Sequence, residues 1–164
     1  MLDGDAVRGR SPGAGQVWML GIVGMAWFLV LVEDTAVAVA LPSVGRDLGL
    51  SLAAMEWVVN VYTLAFAVLT LAAGAGTDRY GPRPVLLAGL TVFAASSLVA
   101  AFSVNGVMLI AMRAVQGAGA ALIGPAALAL LLAGYAGPRR AWALGVWSGV
   151  GAAALAGGPL VGRP

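Results

Sequence analysis

Five long apolar stretches run along this chain, and they decide the solvent in which it folds. They extend from Trp18 to Leu41, Trp57 to Gly76, Val85 to Phe102, Val107 to about Leu132, and Ala141 to Gly162. A helix needs about 20 apolar residues to cross a hydrocarbon core of about 30 Å, and it satisfies its own backbone polar groups on the way. The sequence therefore predicts an all-α membrane protein with five transmembrane helices. Pro42 and Gly81 lie just beyond the first two stretches, and Ser103, Asn105 and Gly106 form a polar turn before the fourth. Pro125 is expected to kink the fourth helix, and a Gly-Gly-Pro sequence interrupts the fifth. Between the first two, Ser43 to Glu56 mixes Arg46 and Asp47 with Leu48, Leu50, Leu52 and Met55, which reads as a short interfacial helix. Composition agrees with this placement. Of 164 residues 61% are hydrophobic and 10% are charged, whereas about a quarter of a soluble domain is charged.

The chain has no Cys and no His. That removes the commonest metal ligands, the Ser-His and Cys-His nucleophile pairs and any disulfide framework, so neither an enzyme nor a metal or cofactor site is expected. All nine cations are Arg, and they are scattered along the chain. Such a pattern fits a lipid bilayer as partner and excludes nucleic acid. Residues 1–16 are polar and read as an N-terminal tail. The apolar run behind them is too long for a signal-peptide core and lacks a cleavage site, so it is expected to stay attached. Arg8, Arg10, Arg79, Arg83, Arg139 and Arg140 fall on one side of the membrane, against Arg46 and Arg163 on the other. The positive-inside rule then predicts a multi-pass protein of the cell membrane with its N-terminus in the cytoplasm.

Charges inside a span are costly, and only three occur: Glu33, Asp34 and Arg113. At 1.5 Å per residue, Asp34 lies about 12 Å below the outer end of the first helix and Arg113 about 10 Å below the outer end of the fourth. The two depths match, so a carboxylate and a guanidinium can meet inside the bundle. Glu33 sits about 100° round the helix from Asp34 and must face elsewhere. Two readings fit: a structural ion pair pinning two helices, or a proton or cation site. An acid in such a place is caught between burial, which favours its neutral form, and a nearby cation, which favours its charge. Small residues four apart, Gly117 with Ala121, Gly145 with Gly149 and Gly158 with Gly162, suit close helix packing. An Ala/Gly-rich composition produces such spacings as well. Gly158-Pro159 is more specific, because it removes a backbone hydrogen bond.

These motifs together resemble the N-terminal half of a major facilitator superfamily transporter, and within it the fourteen-helix drug/proton antiporters. Asp34-Thr35 followed by Ala40-Leu41-Pro42, Arg46-Asp47-Leu48, and Trp57-Val58-Val59 with Tyr62 and Leu64 is similar to that family's first-helix block. Gly74, Asp78, Arg79, Gly81 and Arg83 resemble the superfamily's signature loop. Arg113, Gln116 and Gly117 resemble its fourth-helix motif, whose Arg the resemblance implicates in proton coupling. Gly145, Gly158, Pro159 and Gly162 are similar to the fifth-helix motif of antiporters. The pattern departs at Ala154, where a Gly is usual, at Pro82, where a basic residue is usual, and at Glu33, where an apolar residue is usual. The resemblance implies proton-coupled efflux of small organic or drug-like compounds. Asp34 is favoured over Glu33 as the acid that titrates, and a C-terminal half would be the missing partner of a fragment. Its rivals are an importer of the same superfamily and a stand-alone small membrane protein with an assembly or regulatory role. The Ala, Gly and Arg bias suggests a bacterial source.

Overall fold

A computed structural model describes the backbone of residues 13–161 and the side chains of residues 13–157. Five helices follow one another: α1 (Ala14–Asp47), α2 (Leu52–Tyr80), α3 (Pro82–Ala101), α4 (Gly106–Gly134) and α5 (Pro138–Val161). By length and composition α1 to α4 can each cross a membrane. The 24 residues of α5 also exceed the span length at 1.5 Å per residue, although Gly and two leading Arg dilute its apolar character.

Helix ends differ from the expected boundaries where the sequence has breakers. The first helix does not stop before Pro42. It runs through that residue to Asp47, so no separate interfacial helix precedes α2. Proline forfeits one intrahelical bond, a loss that membrane helices tolerate when neighbours cover the freed group. Here Gly45, buried beyond Pro42, lies directly against Met55 at the start of α2. The chain reverses through Leu48 to Ser51, with Leu50 N–H donating to Gly45 C=O at 2.7 Å. Ser51 then caps α2 by accepting from Ala54 N–H at 3.2 Å, and Asn105 caps α4 by accepting from Met108 N–H at 2.9 Å. These polar side chains occupy helix starts for the usual reason, the unpaired N–H groups of the first turn. α2 and α3 are joined by Gly81 alone. Its φ of +87° suits only a residue without a side chain, and its N–H closes α2 by donating to Thr77 C=O at 2.9 Å.

α4 is the central helix. It packs along α2 and α3, while α1 pairs with α5. Small residues set these distances. A Cβ on Gly119 would stand 2.7 Å from Phe93 N, one on Gly89 3.0 Å from Gly119 O, and one on Gly117 would run into Tyr62 O. Close backbone approach of this kind drives association where lipid offers no hydrophobic contrast. On the other side Trp27 of α1 stacks on Trp147 of α5 with centroids 5.2 Å apart. α4 runs unbroken through Pro125.

The start of α1 and the end of α4 are tied together. Gln16 Nε2 donates to Gly134 O at 2.7 Å, and Tyr135 Oη donates to Gln16 O at 2.7 Å. Arg140 donates to Leu132 O at 2.8 Å and to Tyr135 O at 3.2 Å, covering carbonyls that the end of α4 leaves free. Arg83 lines a cavity with Met19 and Gly134 at this same end. Arg79, Arg83, Arg139 and Arg140 therefore gather at one end of the bundle. Arg46 belongs to the other, where Leu50 packs against Gly106.

Candidate functional site

Arg113 lies in the interior of this bundle, about two turns from the start of α4, and is 1% exposed. A buried guanidinium needs partners for its donors, and α1, α2 and α4 each supply some. Its Nη2 donates to Asp34 Oδ1 of α1 at 2.7 Å. Its Nη1 donates to Gln116 Oε1, one turn along α4, at 2.8 Å. Its Nε donates to the Val58 carbonyl of α2 at 3.3 Å, and its plane lies over the Tyr62 ring at 4.1 Å. Asp34 is 39% exposed, so the pair joins a buried cation to an acid at the surface of the bundle.

Glu33 points away from that surface, into the interior between α1, α3 and α4. Ser97 Oγ of α3 donates to its Oε1 at 2.9 Å, and Gln116 Nε2 donates to the same oxygen. Its other oxygen, Oε2, is buried without a protein partner. Gln116 is fully buried and bridges Arg113 to Glu33, accepting from Arg113 with its oxygen and donating to Glu33 with its nitrogen. A cavity of about 440 Å³ opens beside Glu33, Ser97, Arg113 and Gln116 and extends to Asp47 and Ser103 at the far end. Asp34 does not line it. One step of 100° along α1 thus separates an acid facing the cavity from an acid facing outward.

Sequence reasoning passed over Ser97 and the role of the Val58 carbonyl, and it gave Gln116 and Tyr62 only as parts of motifs. A serine in an apolar run is a weak signal, because it can satisfy itself on its own helix. Ser96 does so, donating to Val92 O at 2.7 Å.

The other residues singled out lie elsewhere. Gly74, Asp78, Arg79, Gly81 and Arg83 surround the α2–α3 turn at the Arg-rich end. Asp78, Arg79 and Arg83 are exposed there, and among the described residues none of them forms an ion pair. Arg79 lies over the Tyr80 ring at 5.5 Å. Gly117 is in the α2–α4 contact. Gly145 and Gly149 are exposed, and a Cβ on either would meet nothing within 4 Å. Within this chain the close approach of α5 is made instead by Gly151, whose Cβ would stand 3.2 Å from Trp27 Nε1, and by the fully buried Ala154. Gly158 and Pro159 fall within α5, beyond the described side chains, and Gly162 lies outside the described residues. No group of three or more acids that could hold a metal ion occurs among the described residues.

Known proteins are similar to this chain in sequence. The chain is 46% identical over 138 residues to the cephamycin export protein CmcT of Amycolatopsis lactamdurans, an alignment covering 84% of this chain and 28% of that protein. It is 41% identical over 154 residues to the methylenomycin A resistance protein of Bacillus subtilis, covering 93% of this chain and 33% of that protein. The tetracenomycin C resistance and export protein of Streptomyces glaucescens is 37% identical over 149 residues, covering 90% of this chain and 28% of its own length. The chain thus spans about a third of the length of these relatives. The family model described as Major Facilitator Superfamily matches residues 18–163. With a bundle of five helices centred on α4 and a match along nearly its whole length, this chain belongs to the major facilitator superfamily.

Proposed function

We propose that this chain forms most of the N-terminal bundle of a proton-driven exporter of small organic, drug-like compounds, with Glu33, Asp34 and Arg113 as its coupling site. Relatives whose names denote export of, or resistance to, antibiotics support the transport class. The observation that carries the reading is the ion pair itself, a guanidinium 1% exposed held at 2.7 Å by a carboxylate 39% exposed on another helix. Titratable groups at such seams are where a proton can bias helix packing. Neutralising one acid weakens the hold of α1 on α4 and lets the two shift. The complete protein is proposed to sit in a bacterial cell membrane with its N-terminus in the cytoplasm. Its second half would cover the face that bears Asp34 and enclose the substrate near the midplane. The exposed α2–α3 turn, with Asp78, Arg79 and Arg83, would meet helix ends of that half. Gly145, Gly158, Pro159 and Gly162 would shape α5 against it.

The test is Asp34→Asn in the intact transporter. Substrate-driven proton exchange in everted vesicles is expected to vanish while expression is unchanged. Efflux with unaltered pH dependence in Asp34→Asn would remove the ion pair from the coupling mechanism.

A further inference from the structure

The two acids of the coupling site stand in very different surroundings. With both ionised, Glu33, Asp34 and Arg113 together carry one negative charge. The membrane interior penalises net charge, so a single proton is what the cluster needs to be neutral. The acids do not offer equivalent places for it. A proton on Asp34 would dissolve the Arg113 ion pair and leave a guanidinium that is 1% exposed without a carboxylate in direct contact, its remaining counter-charge on Glu33 lying beyond Gln116, which is costly. Glu33 accepts only from neutral donors, Ser97 Oγ and Gln116 Nε2, and both use Oε1. Its Oε2 is buried and unpartnered. The groups facing it are Ser97 from α3, Arg113 and Gln116 from α4, and its neighbour Asp34 on α1. α2 contributes Val58 to the cavity wall and Tyr62 beneath Arg113, Asp47 lies at the far end, and among the described residues none from α5 lines the cavity.

We propose that Glu33 rather than Asp34 binds the coupling proton, taking it on Oε2 from the cavity between α1, α3 and α4. In transport this rests on the coupling-site reading above. The step is a simple association: the carboxylate becomes a carboxyl, and no other covalent bond changes. A neutral Glu33 is a poorer acceptor for Gln116 Nε2, so Gln116 loosens, and with it the bond from Arg113 Nη1 to Gln116 Oε1. Arg113 is then held by Asp34 alone on its charged side. The proton enters from the cavity side of the α1–α4 seam, and the Asp34–Arg113 pair lies on the other. Gln116 carries the change between them.

The proposal is tested on the intact transporter in phosphatidylcholine nanodiscs by infrared difference spectroscopy during a pH titration. Removing either acid balances Arg113, so the identifying variant is Ser97→Ala, which leaves all three charges in place. The C=O stretch of a protonated carboxyl is expected to appear on acidification and to change frequency in Ser97→Ala. Dicyclohexylcarbodiimide, which reacts with protonated carboxyls in apolar surroundings, is expected to form its adduct on Glu33 in the unmutated chain, located by mass spectrometry. An adduct on Asp34, or a carboxyl band unmoved by Ser97→Ala, overturns the proposal, and so does a titration without such a band. These 164 residues lack cysteine, and in a transporter freed of any other cysteine Ala100→Cys on the cavity wall can be blocked with a charged thiol reagent. Blocking should slow the band's appearance after a pH jump, and an unchanged rate overturns the cavity route. If Glu33 protonates as described while Asp34→Asn leaves transport intact, the assignment of the proton stands and the coupling reading falls.

Discussion

A guanidinium that is 1% exposed and holds Asp34, Gln116 and the Val58 carbonyl at once uses the planar fork that distinguishes Arg from Lys. Arg113→Lys keeps a charge near Asp34 but cannot reach all three acceptors. Arg113→Ala leaves the Gln116 oxygen and the Val58 carbonyl without that donor, at about 1–3 kcal/mol for a buried acceptor left unsatisfied. The thermal unfolding midpoint in detergent should therefore fall in the order unmutated, Arg113→Lys, Arg113→Ala. A Lys variant as stable as the unmutated chain would mean that the fork is not what binds α1 to α4. The pair itself was legible in the sequence, because helical rise converts residue counts into depth and both residues come out at the same level. The bridging role of Gln116 and the contact from Ser97 were not. Hydroxyls in apolar helices commonly turn back on their own backbone, as Thr70 and Thr77 do at 2.5 and 2.8 Å, so residue type alone does not distinguish a self-satisfied serine from one reaching across.

Apolar length made the existence and order of all five helices readable, while their ends depend on local bonds that composition does not encode. Pro42 looks like a terminator, but the packing of Gly45 on Met55 carries α1 beyond it. The glycines divide in the same way. Spacing by four selects Gly117 and Gly145 equally, yet a Cβ on Gly117 meets the backbone of α2 and one on Gly145 meets nothing within 4 Å. Backbone cannot swing aside as a side-chain tip does. Gly117→Ala and Gly119→Ala are expected to cost about 1–3 kcal/mol each through overpacking. Gly145→Ala should leave the stability of this chain within about 0.5 kcal/mol of the unmutated value, as substitutions away from packing features do. Chemical denaturation in mixed micelles measures both. Equal losses at Gly117 and Gly145 would show that α5 packs through a face other than the one carrying Gly151. Leu at Gly145 tests a different contact: it should impair efflux by the intact transporter if that face meets the second half.

At the level of the whole molecule, the two ends of the bundle differ in charge. Arg79, Arg83, Arg139 and Arg140 crowd the end where Gln16 meets Gly134, and the 29 residues of α4 place Asn105 about 44 Å away at 1.5 Å per residue. In the cysteine-free chain, Ala136→Cys should react with an impermeant maleimide only from the cytoplasm and Asn105→Cys only from outside. Reversed labelling would invert the proposed orientation. The sequence could not show which face of this bundle would be left bare, because that depends on how α1, α2 and α4 pack. The packed chain carries Asp34, 39% exposed, on its surface, where hydrocarbon would be a costly neighbour. Alternating access works by rocking two bundles about a shared site, and this chain spans 28–33% of the relatives named above. Proteoliposomes containing only residues 1–164 should therefore take up or release no fluorescent cation beyond leak when a proton gradient is imposed. Gradient-driven movement that disappears in Asp34→Asn would contradict the two-bundle requirement. The chain would then have to assemble several copies of itself around the pathway, with Asp34 of each facing a shared cavity in place of a second half.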